Sequence, residues 1–501
     1  MTLGIISGYL CLLLFLGIFS SRLLRLTAGD YFLASRGIGP FMLLMSIFGT
    51  TMTAFALIGS TGQTYRFGIG VYGKMASWSG IVHSALFFLI GAKVWALGKK
   101  HGYLTQISFF RDRYNSDAVA LTLFPVVVGF VILYILMGVM GAGGFLEGMT
   151  KGKVPKAAGM AIICFVVLSY VFFGGMRATA WANTMQTLVF MGTGVIAFFV
   201  ITNALGGKSG EGFFAAAANA TKMVEESNQA SKMAREGHIS KLLFLTYGLI
   251  PVSVGMFPHL FQHWLTAKKA SNFKLTCIVH PLCIMVTWVP CILIGMWAAG
   301  VLDLNPATES NKVLGVMVGR HSGGVMGGII GVGVLAAIMS SMDSQFLCIS
   351  SMFTNDIVHR YFDREMSERK RVWLGRAFVC LIVVVCYVIG LVSTRSVFAL
   401  GVWCFTGFTS LVPLVIAALY WKRSNWQGAV ACILTVAALW LTFLPKVLGA
   451  QGKPFMLFGM LPVVTITAAS IAALTVATLL TPPPDEALVE KFFPDEQSPS
   501  S

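Results

Sequence analysis

Long apolar runs separated by short polar segments dominate the chain. Each run is about 20 residues long, which is enough to cross a bilayer as a helix. The pattern predicts about thirteen transmembrane spans and so an all-α polytopic membrane protein. The spans are centred on residues 3–20, 41–61, 76–97, 118–147, 157–175, 180–205, 242–264, 275–300, 323–353, 372–392, 396–421, 427–447 and 456–480.

Polar side chains interrupt the ninth run in its middle. Ala337, Ser340, Ser341 and Ser344 recur at helical spacing and share one face, with Asp343 beside it. An ionisable group at this depth costs about 2.5 to 3.5 kcal/mol unless it is paired, solvated or coordinated. The stripe indicates an ion site or a packing surface, since serine also joins transmembrane helices.

Helix-breaking residues mark two other runs. The second run carries Gly49 among threonines at mid-depth, and the seventh carries Pro251, Gly255 and Pro258. Breaks at matching positions in two halves of a chain are typical of transporters built from inverted repeats. Spans 2–6 and 7–11 would then be the repeats, and an ordinary kink in each run is the alternative.

The composition is that of a membrane protein. Of 501 residues, 56% are hydrophobic and only 11% are charged, whereas soluble proteins have about 25% charged residues. The net charge of +16 lies in short loops between apolar runs and forms no long basic stripe. We therefore expect a lipid bilayer as the partner and no nucleic acid.

Loop charges predict the orientation. With the N-terminus outside, about 18 Lys and Arg residues fall in cytoplasmic loops and about 10 in short external loops. The basic run Arg369–Arg371 supports this orientation, while Lys151, Lys153 and Lys156 oppose it. An odd number of spans leaves the C-terminus in the cytoplasm, and we expect a multi-pass protein of the plasma membrane.

The same pattern divides the chain into segments. A polar, Pro-rich tail follows the last span, and we expect it to be disordered. The segments are a peripheral first span (1–28), a first repeat with spans 2–6 (29–206), an external loop (207–240), a second repeat with spans 7–11 (241–421), two peripheral spans (422–482) and a cytoplasmic tail (483–501).

Three motifs together resemble the sodium/solute symporter family, whose members carry sugars, proline, pantothenate, monocarboxylates or sialic acid with Na+. They are Asp30–Pro40 before the second span, Gly174–Gln186, and Ala336–Gln345 in the ninth run. Their order and spacing cover roughly residues 30–420. The resemblance implies a core of ten helices in a 5+5 inverted repeat of the leucine-transporter type, with alternating access to a central site.

The resemblance also implies a principal Na+ site. It would consist of the backbone carbonyls of Gly49, Met52 and Ala337 with the hydroxyls of Ser340 and Ser341. This agrees with the chemistry of the residues, because a hard cation prefers several oxygen ligands, and an unwound backbone beside a hydroxyl stripe provides them.

A second Na+ site, present in some members, would involve Asn183, Asp343 and Ser344. The family usually has Asp where this chain has Asn183, so an oxygen ligand is kept but a charge is lost. His263 stands where the family usually has Arg on the cytoplasmic side, and we interpret it as a structural position.

The solute-binding residues follow only from the resemblance, and they include neither Arg nor Lys. A carboxylate could still bind the free N–H groups of a broken helix, so a small organic acid, an amino acid or another polar metabolite remains open. The expected residues are Thr51, Thr53, Phe55, Ala56, Tyr134, Tyr247, His259, Gln262, Trp403 and Thr406.

The predicted function is sodium-coupled symport of a small polar organic solute. An enzyme is not expected, because the chain contains no HExxH or GxSxG motif and no His/Cys/Glu grouping at ligand spacing. A solute sensor on the same scaffold is the alternative, and the short tail favours a transporter. The sequence indicates no oligomeric state.

Overall fold

The computed structural model describes residues 1–20, 36–235, 239–449 and 454–493, without the side chains of residues 16–20, 170 and 173–178. Its helices, in chain order, are α1 Thr2–Ser20, α2 Pro40–Thr51, α3 Phe55–Phe67, α4 Tyr72–His101, α5 Gln106–Tyr114, α6 Asp117–Met149, α7 Lys156–Gly206, α8 Phe213–Glu225, α9 Lys241–Gly255, α10 Pro258–Leu265, α11 Asn272–Val301, α12 Val313–His321, α13 Gly324–Phe362, α14 Glu368–Val392, α15 Val397–Tyr420, α16 Trp426–Gly449, α17 Pro462–Leu480 and α18 Glu486–Phe492.

Many of these helices have the length and the apolar composition needed to cross a membrane. Within the described residues, nine are long and apolar enough, or up to eleven if each of two bent helix pairs counts as one span. Two shorter apolar helices, Thr2–Phe15 and Lys156–Ser169, match the first and fifth predicted spans. The helical membrane fold is as expected, while the count of thirteen stays a prediction.

Two bent helix pairs lie where the sequence predicts breaks. The axis turns by 55° between α2 and α3 and by 47° between α9 and α10. Met52 leaves the helix in an extended conformation, with φ −86° and ψ 98°. Thr53 Oγ1 then accepts a hydrogen bond of 3.0 Å from Phe55 N, which caps the start of α3. At the second bend Phe257 is extended and Pro258 begins α10.

The helices connect two faces of the molecule. We call one the loop face, which carries residues 207–235, and the other the tail face, which carries α18. α11 joins them: the Asn272 amide donates to Ile38 O near the tail face, and beyond its other end the Tyr65 hydroxyl donates to Leu304 O. Thr2 Oγ1 donates to Gly324 O at 2.7 Å on the loop face, so the first residue and α18 lie on opposite faces.

The contacts of α7 indicate two arms, one that runs from the loop face toward the tail face and one that runs back. Near its start Lys156 Nζ donates to Ser393 O at the loop-face end of α14, while Phe172 packs against Trp373 near the opposite end of α14. Its second arm runs antiparallel to α13, and the Asn183 amide contacts Ser344 Oγ at 2.9 Å. These contacts agree with the two predicted spans 157–175 and 180–205.

The tail is more ordered than the sequence suggests. Instead of disorder after the last span, α18 lies on the tail face, and Lys491 Nζ contacts the two carboxylate oxygens of Asp112 at 2.6 and 2.7 Å. Phe492 is buried and lies beside the guanidinium of Arg113. The prediction of disorder is therefore wrong for α18, because its apolar and basic side chains find partners on α5 that sequence composition does not reveal.

A candidate ion and solute site between two broken helices

An oxygen cluster joins the first bend to α13. Ser340 Oγ lies 2.8 Å from Gly49 O and 2.9 Å from Ala337 O, and all three residues are fully buried. The hydroxyl has one proton to donate, so it satisfies only one of the two carbonyl oxygens at a time. The cluster thus contains more lone pairs than protons, which is the chemistry that attracts a cation.

Met52 and Ser341, the other residues expected at this site, are buried beside the cluster. Met52 directly follows the end of α2, where carbonyl groups lack intrahelical partners. The hydroxyl of Ser341 donates to Ile338 O at 2.9 Å. The described residues contain no group of three His, Cys, Asp or Glu that could hold a metal ion, so a cation here would rely mainly on neutral oxygens.

Gly49 allows α2 and α7 to approach closely. A Cβ atom on Gly49 would lie only 2.2 Å from Thr187 Oγ1 and 3.3 Å from Asn183 O. Thr187 Oγ1 donates to Met45 O at 3.0 Å, one turn before Gly49. Thr187 gives no signal in the sequence, because nothing in its local pattern shows that it faces α2.

A second polar cluster surrounds Ser344, one turn along α13. The amide orientation that satisfies both ends of Asn183 places its nitrogen 3.1 Å from each carboxylate oxygen of Asp343, and its oxygen accepts from Ser344 Oγ at 2.9 Å. His263 Nε2 lies 3.1 Å from Ser344 Oγ, and His263 Nδ1 lies 3.0 Å from Ser46 Oγ. The structure therefore brings Asn183, Asp343 and Ser344 together and adds Ser46 and His263.

These five residues form one directional chain of hydrogen bonds. With the proton of His263 on Nε2, Ser46 donates to His263, His263 donates to Ser344, Ser344 donates to Asn183, and Asn183 donates to Asp343. His263 is only 1% exposed, so it belongs to the interior of the site. The interpretation of His263 as a structural position on the cytoplasmic side missed this role.

A small central cavity lies between the two bends. Its lining includes Thr51, Phe55, Ala56 and Tyr134 from the expected solute-binding set, together with Phe257 at the second bend. The cavity measures about 30 Å³, which is room for only a few water molecules. Solute binding here would require the aromatic side chains to move apart.

A larger cavity opens on the loop face. Its volume is about 220 Å³, and Tyr247, Trp403 and Thr406 line it. The expected solute-binding residues are therefore divided between two cavities. Thr53 and Gln262 line neither of them.

His259, the remaining residue of the expected set, also lines neither cavity. Its ring packs against the Phe257 and Tyr134 rings, with centroid distances of 5.2 and 5.3 Å. Neither ring nitrogen has a hydrogen-bond partner among the described residues.

Stacked aromatic rings separate the two cavities. Phe398 lines the loop-face cavity and Phe55 lines the central cavity, and their centroids are 4.7 Å apart with nearly parallel planes. Phe405 meets Phe55 edge-on at 5.0 Å. The partition is thus two rings thick, so small side-chain movements could connect the cavities.

Lys74 lies beside this partition, although the sequence analysis found no Lys or Arg near the solute site. It is 2% exposed, and its ammonium lies 4.3 Å from the centre of the Tyr247 ring and 5.1 Å from that of Phe398. In the sequence it precedes an apolar run, so it resembles an ordinary flanking residue. Its burial depends on the packing of α3, α9 and α15 around it.

Two broken helices around a small central cavity define a helical membrane protein of the transporter type. The chain belongs to the sodium:solute symporter family, whose model matches residues 31–435. This match confirms the resemblance carried by the three sequence motifs.

Characterised relatives span most of the chain. A sodium/proline symporter of Haemophilus influenzae is 25% identical over 485 residues, which is 94% of this chain and 92% of the relative. The high-affinity proline transporter PutP of Bacillus subtilis is 24% identical and covers 92% of this chain and 95% of its own length. A sodium/proline symporter of Escherichia coli is also 24% identical, over 80% of each chain.

Solved structures share the fold. A Na+-coupled sialic acid symporter in a substrate-bound outward-open state has a TM-score of 0.75 at 16% identity and covers 96% of this chain and 98% of its own. Mhp1, a nucleobase-cation-symport-1 family transporter in a closed conformation, has a TM-score of 0.57 at 15% identity and covers 94% of this chain and 99% of its own.

Proposed function

We propose that the protein is a sodium-coupled secondary active symporter that imports a small organic solute by alternating access. Na+ is cargo in this proposal, and its downhill movement drives the uphill movement of the solute. Membership of the sodium:solute symporter family supports the coupling ion. The relatives named as proline symporters make L-proline one solute to test.

The oxygen cluster around Ser340 is the observation that carries the proposal. It connects the broken first span to α13 through Gly49 O and Ala337 O. Na+ bound there, with Met52 and Ser341 contributing further oxygens, would coordinate the Gly49 and Ala337 carbonyls and the Ser340 hydroxyl oxygen together, while the hydroxyl keeps its proton and turns it away from the ion. Because Gly49 belongs to the bend, ion binding would fix the end of α2 and thereby the adjoining central cavity.

The cluster around Ser344 supports a second Na+. Asp343 provides a carboxylate, and Ser344 Oγ lies 3.2 Å from its Oδ1. The Asn183 amide nitrogen donates to this carboxylate, and the Asn183 oxygen lies 2.9 Å from Ser344 Oγ, so the amide would have to turn to offer its oxygen to an ion beside Asp343. Asp343 thus supplies the negative charge that the family usually places at position 183. Ser344 Oγ also lies 3.4 Å from Ser340 O, so the two ion sites would be neighbours on one helix.

The proposed architecture has thirteen spans, with two inverted repeats that each begin with a bent helix pair. The bends of 55° and 47° at the start of the two segments support this division. We place the loop face outside the cell and the tail face in the cytoplasm, because the basic run Arg369–Arg371 and most loop Lys and Arg residues lie toward the tail face.

The experiment compares Na+ and K+ as stabilising ions for the purified protein in detergent, with no solute present. Binding of Na+ to the folded state raises the unfolding temperature in proportion to ln(1 + [Na+]/Kd). The double variant Ser340→Ala, Ser341→Ala should need at least about tenfold more Na+ to reach the same unfolding temperature, because two ligand oxygens are lost.

Ser350→Ala is the matched control. It lies on the same helix, and its buried hydroxyl has no hydrogen-bond partner among the described residues. The control should keep the wild-type Na+ response. Equal stabilisation of the wild type by Na+ and K+ would contradict the proposal, as would an unchanged Na+ response in the double variant.

A further inference from the structure

Lys74 is a buried lysine with no acidic partner in the described part of the chain. Its side chain makes neither a hydrogen bond nor an ion pair there, and its ammonium contacts the rings of Phe67, Tyr247 and Phe398. Cation–π contacts contribute about 0.5 to 2 kcal/mol each, whereas removing an ammonium from water costs several kcal/mol. The aromatic contacts therefore offset only part of the cost of burial.

Lysines near the ends of membrane helices usually extend their side chains to water. Lys74 could do so, because it lies at the loop-face end of α4. Instead it is 2% exposed and lies beneath aromatic rings. An intramembrane charge that is held away from water in this way marks a functional site.

The rings around Lys74 also form a wall of the loop-face cavity. Phe67, Tyr247 and Phe398 all line that cavity, so the ammonium lies directly behind its surface. The lining also includes Arg66 and Arg395, and it contains neither Asp nor Glu. Two guanidinium groups in the lining, with the Lys74 amine behind it, favour the entry of an anion from solution.

The central cavity has a different character. Its lining contains hydroxyls, such as those of Thr51, Ser79 and Tyr134, together with aromatic rings, and it includes no Asp, Glu, Lys or Arg. A solute that extends from one cavity into the other would therefore meet positive charge at one end and an apolar, weakly polar environment at the other. A zwitterionic amino acid would find no carboxylate for its ammonium among these lining residues.

We propose that the solute is a small organic carboxylate with an apolar body and no ammonium group, and that Lys74 pairs with its carboxylate. The Arg66 and Arg395 side chains attract the anion into the loop-face cavity. Movement of the Tyr247 and Phe398 rings then exposes Lys74, and the apolar body enters the central cavity. This inference rests on the proposed function, since it names the solute class of the same transport site.

The test compares five-membered rings of similar size that carry a carboxylate alone, a neutral amide, or a carboxylate together with a ring ammonium. Binding of cyclopentanecarboxylate, cyclopentanecarboxamide and L-proline is measured by thermal stabilisation of the full-length protein at fixed Na+. Benzoate and propionate extend the panel to other body sizes. We expect Na+-dependent stabilisation by at least one carboxylate, and none by the amide or by L-proline.

Variants of Lys74 test whether its side chain is the group that binds the carboxylate. Lys74→Met should weaken carboxylate binding about tenfold or more, since it removes a charge-assisted contact. Lys232→Met is the matched control, because Lys232 also lies at the loop face but donates to Tyr65 O and is not part of the cavity lining. Lys74→Gln repeats the test if the Met variant does not fold.

Each outcome bears on a defined claim. Three results would overturn the inference. The amide or L-proline could stabilise the protein as much as the carboxylate does, no carboxylate could have any effect, or the wild type and the Lys74 variants could bind the carboxylate equally well. Na+ stabilisation without solute is measured in the same samples. If it is intact while the carboxylate preference is absent, only the inference fails, and if it is absent, the proposed function fails.

Discussion

His263 Nε2 lies 3.1 Å from Ser344 Oγ, and this contact ties the second broken span to α13. The other ring nitrogen, 3.0 Å from Ser46 Oγ, extends the connection to the first broken span. One imidazole therefore links three helices that must move relative to one another if the protein alternates its access.

Replacing this imidazole should destabilise the protein strongly. His263→Leu removes the ring partner of the buried Ser46 hydroxyl and one of the hydrogen bonds of Ser344, which keeps its contact with Asn183. A buried hydroxyl left unpaired costs about 1 to 3 kcal/mol. We expect a clear fall in the unfolding temperature in Na+-free buffer. His259→Leu, one turn earlier on α10, is the control, because neither ring nitrogen of His259 has a partner in the described structure. Equal destabilisation by both variants would contradict the proposed linking role of His263.

Gly49 should tolerate no side chain while Thr187 is present. In Gly49→Ala the new Cβ would lie 2.2 Å from Thr187 Oγ1, so α2 and α7 must separate and Gly49 O must move from Ser340. We expect the variant to lose most of its Na+-dependent stabilisation.

The second variant Thr187→Ala provides a rescue. It removes the clashing oxygen and leaves the Thr187 Cβ 3.6 Å from the added methyl group, an ordinary contact. The double variant Gly49→Ala, Thr187→Ala should therefore regain part of the Na+ response. No recovery would show that Gly49 is required for a reason other than its distance from Thr187.

The carboxylate of Asp343 should set the number of coupled ions. Asp343→Asn removes the only full negative charge of the Ser344 cluster within the described residues, so we expect the coupling ratio to fall from two Na+ to one per solute. The reversal potential of coupled transport in proteoliposomes measures this ratio. Each ion that crosses contributes about 2.3 kcal/mol per 100 mV, so the loss of one shifts the reversal potential measurably.

Asp356→Asn is a suitable control for the coupling ratio. Asp356 is equally buried on the same helix, but it accepts a hydrogen bond of 2.6 Å from Thr105 Oγ1 outside the cluster. This variant should retain the wild-type ratio. A wild-type ratio in Asp343→Asn as well would rule out Asp343 as an ion ligand.

The ion pair between Lys491 and Asp112 should hold α18 on the tail face. Burial opposes ionisation of Asp112, but hydrogen bonds from Lys491 and Tyr103 more than offset it and hold the pKa of the carboxyl below its usual value. Its stabilising contribution is therefore complete above about pH 5 and is lost as the pH falls through the lowered pKa.

Hydrogen exchange of residues 486–492 provides the measurement. Lys491→Met should speed exchange about two- to fivefold between pH 6 and 8, because a partly exposed ion pair contributes up to about 1 kcal/mol. Glu490→Gln, which alters an exposed residue of the same helix, should leave exchange unchanged. The same rates in Lys491→Met and wild type would show that apolar contacts of Phe492 hold the helix alone.

The sequence predicted where the backbone of the site bends better than it predicted which side chains surround the site. Gly49 and Pro258 indicated the two bends, because glycine and proline change local backbone preferences directly. The hydroxyl of Ser340 was found because helical spacing places it on a recognisable stripe. These signals are local, so they can be read from the sequence without knowing how the helices pack.

Lys74, Thr187 and His263 depend on contacts between distant segments. Local spacing cannot show that Lys74 turns under the rings of α9 and α15, nor that His263 faces α13, since both residues occupy ordinary positions at helix ends. The expected solute residues were likewise assigned to one site, whereas the structure divides them between two cavities separated by Phe55 and Phe398. Side-chain packing across helices decides such features.

The small volume of the central cavity has a consequence for leakage. The cavity is small, about 30 Å³, and the stacked rings of Phe55 and Phe398 separate it from the loop-face cavity, so a Na+ that crossed here without solute would have to shed its water shell against phenyl rings. Such dehydration is opposed by the full hydration energy of the ion. If the protein couples Na+ to a solute as proposed, the packing of Phe55 and its neighbours would therefore slow the leak of Na+ whenever no solute is available.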